Sequence, residues 1–208
     1  MKNIIVLVSG GGTNLQALID AEERGEIRGG KISCVISSKV GAYALERAAK
    51  HGIKGITLPR KEYPDNKAYS EALLEILKAE NADIIVYAGF MTILDRCVCD
   101  AYPYKMVNVH PALIPSFCGK GFYGLHVHEE VLKRGVKVTG ATVHFVTDVC
   151  DGGPIILQKA VYIEEGDTPE LLQRRVMEQA EWKILPEAVS LLCEDRIEVI
   201  DDVAHIRS

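Results

Sequence analysis

Several features are scarce or missing in this chain, and each absence removes a class of function. No stretch approaches the ~20 uninterrupted apolar residues of a membrane-spanning helix. The apolar run Ile4 to Val8 near the start ends in Ser9-Gly10-Gly11-Gly12. It lacks the small-x-small cleavage pattern of a secretory leader and reads as a strand. Basic residues are not in excess: 24 Lys and Arg stand against 29 Asp and Glu, for a net charge of −5. A general nucleic-acid binder, with its basic footprint, is disfavoured. A small anion is not, since a few backbone amides can hold one. Low-complexity tracts and long charge runs are missing, so disorder is not the dominant state. The six cysteines (Cys34, Cys97, Cys99, Cys118, Cys150, Cys193) show no zinc spacing. Without a secretory signal they read as reduced thiols in a cytoplasmic protein. Cys97-x-Cys99 is not the Cys-x-x-Cys redox spacing, and packing is the better reading.

What is present is a soluble globular mix: 208 residues, 48% hydrophobic and 25% charged. That suffices for one good-sized core. Apolar runs of strand length at Asn3–Ser9, Lys31–Ser37, Gly55–Leu58, Asp83–Ala88 and Lys105–Val109 alternate with helix-period segments at Asn14–Arg24, Ala42–His51 and Lys67–Glu80. Near-continuous apolar strands separated by amphipathic helices imply an α/β fold, an open, mostly parallel twisted sheet with helices on both faces. The second half differs. Val136–Thr147 and Pro154–Ile163 read as two long neighbouring strands around a polar, Gly-rich loop, giving antiparallel strands in the C-terminal half. A last helix is expected over Pro169–Cys193, with Pro186 kinking or breaking it. No linker, repeat or change of composition divides the chain, so residues 1–208 are read as a single domain.

The turn Ser9-Gly10-Gly11-Gly12-Thr13-Asn14 joins the first strand to the first helix. Glycine lets the backbone approach a ligand, and the free amides at the helix start favour an anion. Thr13 or Asn14 could cap the helix or donate to a phosphate oxygen. A phosphate loop of the Walker type needs a lysine that is not present. A dinucleotide fingerprint needs glycine at position 15, which is Leu15, and an acid after the second strand, where Ser37-Ser38-Lys39 stands. A phosphate monoester fits better; the alternative is a tight turn with no ligand.

Val107-Asn108-Val109-His110-Pro111 ends the fifth strand. Alternation puts Asn108 and His110 on one face, and Pro111 stops the ladder. The carboxyl edge of a parallel sheet is where ligands bind. An Asn and a His there can donate to a carbonyl oxygen that gains charge. Asp151, in Asp151-Gly152-Gly153, could orient the histidine and favour its imidazolium form, though Asp-Gly alone is an everyday turn signal. His110, His126, His128 and Asp151 are legal metal ligands. No spacing among them is a metal signature, His126 and His128 read as loop residues, and no metal is expected.

With SGGGTNLQALI at the start, AGFMTIL at 88–94, NVHPALIPSF at 108–117, TGATVHFVTDVCDGGPIILQ at 139–158 and a late Arg175-Val176 before Glu181, nearly the whole chain resembles the folate-dependent formyltransferases. Within them it is most similar to those that act on glycinamide ribonucleotide in purine synthesis. The resemblance implies transfer of a formyl group from 10-formyltetrahydrofolate to the amine of that nucleotide, without metal. It implies that Gly12, Thr13 and Asn14 hold the phosphate and Glu181 touches the ribose. Met91, Thr92, Ile93, Leu94 and Asn108, with the 147–151 loop, would contact the folate. Asn108, His110 and Asp151 would be catalytic, and His144 and Thr142 would support them. The implied partners are small molecules, not nucleic acid or membrane, and a homodimer is compatible. Relatives acting on transfer RNA or hydrolysing the formyl group carry an extra domain, for which this chain is expected to have no room.

The chain departs from the pattern in three places. Thr92 stands where many members carry arginine. No arginine falls at Asn66-Lys67, where a basic residue is often found. The loop Cys118-Gly119-Lys120-Gly121-Phe122-Tyr123-Gly124 is about five residues longer than the common form, at a place where insertions are tolerated. It reads as a lid or subclass feature, or as a surface loop with no role. A different amine, such as an amino-sugar nucleotide, and a non-catalytic phosphate-binding module remain the competing readings.

Overall fold

The computed structural model describes residues 1–207. The strands are β1 (Lys2–Val8), β2 (Gly30–Ser37), β3 (Lys54–Thr57), β4 (Ile84–Tyr87), β5 (Met106–His110), β6 (Val138–Phe145), β7 (Ile155–Tyr162), β8 (Ile197–Ile200) and β9 (Val203–Ile206). The helices are α1 (Thr13–Glu23), α2 (Tyr43–Lys50), α3 (Asn66–Ala79), α4 (Arg96–Ala101), α5 (Leu125–Arg134), α6 (Pro169–Val176) and α7 (Trp182–Cys193). Seven strands form one sheet in the order β3-β2-β1-β4-β5-β6-β7. β1 to β5 are parallel, and β6 and β7 run antiparallel to their neighbours. This is the expected fold class.

Alternation along the strands feeds two cores. Ile4, Val6 and Val8 of β1 pack with Leu15 and Leu18 of α1 and with Leu185 and Val189 of α7. Ile5 and Leu7 pack on the other face with Tyr69, Leu73 and Leu77 of α3. Burial on both faces explains why these strands read as unbroken apolar runs. The strand order reverses at β1: β2 and β3 lie on one side, β4 and β5 on the other. Loops leaving β1 and β4 therefore diverge and open a crevice at the carboxyl edge.

Three sequence expectations need correction. The last helix is not broken at Pro186. It is interrupted earlier by a π-turn at Met177–Glu181, and Pro186 lies inside α7. The proline ring excludes the normal bond to the carbonyl four residues back, and the wide turn sits immediately before that carbonyl. His126 and His128 are not in a loop but in the first turns of α5. A C-terminal hairpin, β8–β9, follows α7 where no element was expected; its short strands alternate half-buried and exposed residues, a weak signal.

His128 is fully buried, and neither ring nitrogen has a hydrogen-bond partner among the described residues. Burial, with the neighbouring His110 imidazole adding to it, pushes its pKa down to about 4. In the unfolded chain the value returns to about 6.5. Between these values the unfolded state binds more protons, so the stability present above about pH 6.5 is lost as pH falls toward 4. Unfolding free energy measured by urea titration at pH 7.5 and 4.5 is expected to fall less in His128→Leu than in the parent, by about 2 kcal/mol. An identical acid loss in the two proteins would contradict this.

Candidate active site

Register explains how four polar side chains meet. β5 and β6 are antiparallel, and Asn108 pairs with His144 while His110 pairs with Thr142. Directly opposed residues point to the same face. Asn108 Nδ2 donates to His144 Nε2 at 3.2 Å. The loop after β6 then returns over this face and delivers Asp151, in a left-handed conformation (φ 53°). One Asp151 carboxylate oxygen lies 3.5 Å from His144 Nε2, the other 3.6 Å from His110 Nδ1. Gly153 is required below this turn, because a Cβ there would collide with the Phe145 carbonyl.

Both imidazoles are locked by carbonyls, which can only accept. His110 Nε2 donates to the Phe117 carbonyl at 2.8 Å, and His144 Nδ1 donates to the Phe145 carbonyl at 2.8 Å. In their neutral forms both rings therefore turn an unprotonated nitrogen toward Asp151. The carboxylate has one firm donor, the Gly119 amide at 2.8 Å. Burial raises the Asp151 pKa, but the two imidazoles, His144 and His110, once they carry a proton on the facing nitrogen, and the Gly119 amide outweigh it, and the net direction is down. For His110 the balance goes the other way. Burial pushes its pKa below the ordinary value, against the opposing pull of Asp151 and the Phe117 carbonyl. Asp151 does favour the imidazolium form as expected, but His110 is 3% exposed and desolvation outweighs the carboxylate.

Thr142 lies at the base of the site. Its hydroxyl donates to the Ala112 carbonyl at 2.7 Å and accepts from the Ile114 amide and from Gln158 Nε2. It thereby fixes the chain just beyond His110. Cys118 and Cys150 flank the acid, but burial and the carboxylate push both thiols up, which disfavours a thiolate nucleophile.

A second cluster forms at the start of α1. Gly12 is its N-cap in a left-handed conformation (φ 74°), and no side chain caps the helix. A Cβ at Gly12 would lie 2.7 Å from Ala44 Cβ. The first-turn amides thus face outward without intrahelical partners. Neither Thr13 nor Asn14 caps: the Thr13 hydroxyl reaches Met177 Sδ, and Asn14 Nδ2 donates to Glu181 Oε2 at 2.9 Å. The Asn14 Oδ1 atom is buried without a hydrogen-bond partner among the described residues. Burial, against the Asn14 hydrogen bond, raises the Glu181 pKa to about 7.

The loop after β4 supplies an apolar margin. Met91 and Ile93 are about half exposed, Thr92 is half-buried, and Phe90 and Leu94 turn into the core. Leu94 is thus placed with α3 and α4 rather than on the open side. The Ser9 hydroxyl accepts from the Met91 amide at 3.0 Å and meets Ser38 at 2.6 Å, tying this loop to β1 and β2. Near Asn66, where no arginine stands in sequence, Arg60 approaches: its Nε donates to Asn66 Oδ1 at 2.9 Å. Sequence reasoning missed Phe117 and Gly119, because their contributions are a carbonyl and an amide that carry no residue-type signal. The only hint was the Gly-rich insertion, whose Gly119 holds Asp151 and which is therefore not a loop without a role. Among the described residues no cluster of His, Cys, Asp and Glu is arranged to hold a metal, and no helix is long and apolar enough to cross a membrane.

A family profile described as Formyl transferase matches residues 2–189. The phosphoribosylglycinamide formyltransferase of Escherichia coli K12 is 38% identical over 204 residues, covering 98% of this chain and 93% of that protein. The crystal structure of glycinamide ribonucleotide transformylase 1 from Symbiobacterium toebii superposes with a TM-score of 0.93 at 41% identity, covering 100% of this chain and 95% of that one. A formyltetrahydrofolate deformylase from Pseudomonas syringae shares the same core, with a TM-score of 0.88 at 27% identity, covering 100% of this chain but 66% of that one.

The buried carboxyl gives a test of the second cluster. The unfolded Glu181 pKa is about 4.3, so the folded state holds the extra proton up to about pH 7. Stability present below pH 4.3 is lost as pH rises through 7. Glu181→Gln is expected to be more stable than the parent at pH 8, by about 3 to 4 kcal/mol, and nearly equal at pH 4.5. Equal gains at both pH values in urea unfolding would contradict the assigned burial.

Proposed function

The chain belongs to the formyl transferase family, and from that premise we propose that Asn108, His110 and Asp151 are the groups through which it moves a formyl group from a folate to an amine. The acceptor is the amine of glycinamide ribonucleotide, and the reaction belongs to purine biosynthesis. The formyl donor is folate-derived, and we assign it as 10-formyltetrahydrofolate. Residues 1–208 act as one domain in the cytoplasm: the N-terminal half holds the nucleotide phosphate, and the C-terminal half holds the folate and carries out the chemistry. The observation that carries this reading is the convergence of Asn108, His110, His144 and Asp151, with contacts of 3.2 to 3.6 Å, at the end of β5.

Gly12, Thr13 and Asn14 present the open amides of α1 to the phosphate. Glu181, beside Asn14, is assigned to the ribose hydroxyls. The half-exposed Met91 and Ile93, with Thr92 between them, offer apolar surface to a flat pterin ring, and the 147–151 loop is assigned to the folate with them.

A substrate amine has a pKa of about 7.7–8.0, so a useful fraction is neutral at physiological pH. Its nitrogen attacks the formyl carbon, a C–N bond forms, and the carbonyl electron pair moves onto oxygen. The second N–H of Asn108 is free to donate to that oxygen. The attacking nitrogen must lose a proton, and His110 Nδ1 is unprotonated and faces Asp151. The proton enters there, and the carboxylate stabilises the imidazolium that results. The same proton returns to the departing folate nitrogen as its bond to carbon breaks. His110 thus begins neutral and is charged only when the oxyanion is present, so the attraction is stronger in the transition state than before it.

The test is formyl transfer from 10-formyltetrahydrofolate to glycinamide ribonucleotide. Asn108→Ala is expected to lower kcat by about 10²–10³, with KM for both substrates little changed. No transfer by the parent protein, or full turnover in Asn108→Ala, would overturn the reading.

A further inference from the structure

The amides of Gly11 and Gly12 can serve an anion only if their peptide planes are held the right way round. Nothing in a triple-glycine turn does this by itself, since glycine restricts its own dihedrals least. The holding comes from α2. The Ala44 amide donates to the Gly10 carbonyl at 3.1 Å. Arg47 Nε donates to the Gly11 carbonyl at 2.9 Å, and its Nη1 donates to Gln16 Oε1 of α1 at 3.1 Å. The guanidinium also rests over the Tyr43 ring, 4.9 Å from its centroid. Gly12 itself packs on Ala44 so closely that no side chain fits between them.

In a planar trans peptide, the carbonyl of one residue and the N–H of the next point in opposite directions. A Gly10 carbonyl pulled toward α2 turns the Gly11 N–H away from it. A Gly11 carbonyl pulled toward Arg47 turns the Gly12 N–H away from Arg47. Neither N–H has a partner among the described residues. Arg47 and an anion at the Gly12 N–H therefore lie on opposite sides of one peptide unit.

We propose that Arg47 is a positioning residue for phosphate binding: through the Gly11 carbonyl it aims the Gly12 amide at the phosphate monoester, without touching the ligand. This rests on the reading of the glycine turn as a phosphate site. Gln16 is the second part of the device, because it holds the free end of the guanidinium against α1.

The role separates from that of a nearby positive charge by one substitution. Glutamine places its Nε2 the same number of bonds from Cα as arginine places Nε. Arg47→Gln thus keeps the donor and removes the charge, whereas Arg47→Leu removes both. Binding of ribose 5-phosphate by calorimetry and formyl-transfer kinetics are measured on the full chain, with thermal melting to confirm folding. Arg47→Leu is expected to weaken ribose 5-phosphate about tenfold, the worth of one charge-assisted hydrogen bond. KM for glycinamide ribonucleotide should rise by the same factor, with kcat and the KM for folate within about twofold. Arg47→Gln should stay within about threefold of the parent on both readouts. If Arg47→Leu does not fold, Arg47→Gln and Gln16→Leu carry the test, the latter with a loss of about threefold. Unchanged affinity in Arg47→Leu overturns the proposal. So does an Arg47→Gln variant as weak as Arg47→Leu, which would assign the effect to charge. Ribose 5-phosphate binding is read without turnover, so failure of the parent to transfer formyl groups would strike the proposed function and leave this inference standing.

Discussion

A carboxylate taken out of water must be met by donors or take up a proton. Asp151 sits between two imidazoles that each turn an unprotonated nitrogen toward it, with one amide as its firm donor. The arrangement is one proton short. Burial disfavours the proton on His110, and in the proposed mechanism the carboxylate gives it a stable place once chemistry delivers it. The carbonyls of Phe117 and Phe145 enforce this by fixing which nitrogen of each ring is already protonated. Removing any one of these contacts changes what the others can do.

The fold supplies the cluster through register and topology. Antiparallel pairing of β5 and β6 sets Asn108 against His144 and His110 against Thr142. The reversal of strand order at β1 parts the glycine turn from the loop after β4. The glycine turn and the loop after β4, the proposed nucleotide and folate sites, thereby open on one edge, with the β5 cluster beside them. The same core occurs in a deformylase, so the fold does not decide between an amine and water as acceptor. In this chain, what favours an amine-bearing nucleotide is its likeness to the phosphoribosylglycinamide formyltransferases, and the glycine turn with Asn14 and Glu181 at its side is the proposed place for it.

Much of this was legible in the sequence. Unbroken apolar runs gave the parallel strands, because burial on both faces leaves no alternation. Asn108, His110 and Asp151 stood out as polar groups at a strand end and in a Gly-rich turn. What stayed hidden was carried by backbone groups or by distance in sequence. Phe117 and Gly119 act through main-chain atoms. Arg60 meets Asn66 across a short 3-10 turn, so its place near that position was invisible to alignment. His126 and His128 read as loop residues because the Gly-rich insertion before them masked the start of α5. The net sign of the His110 shift stayed hidden too, because a neighbouring acid can be read from a motif, whereas the depth of burial cannot.

The account stands on Asp151 stabilising a proton on His110. The most direct measurement is a nitrogen-15 NMR titration of the imidazole side chains in the parent protein and in Asp151→Asn. The account predicts His110 neutral at pH 7 with its proton on Nε2. It also predicts a pKa below 6.5 that drops by at least about one further unit when the carboxylate is neutralised. A His110 pKa that does not move in Asp151→Asn, or a resting proton on Nδ1, would contradict it.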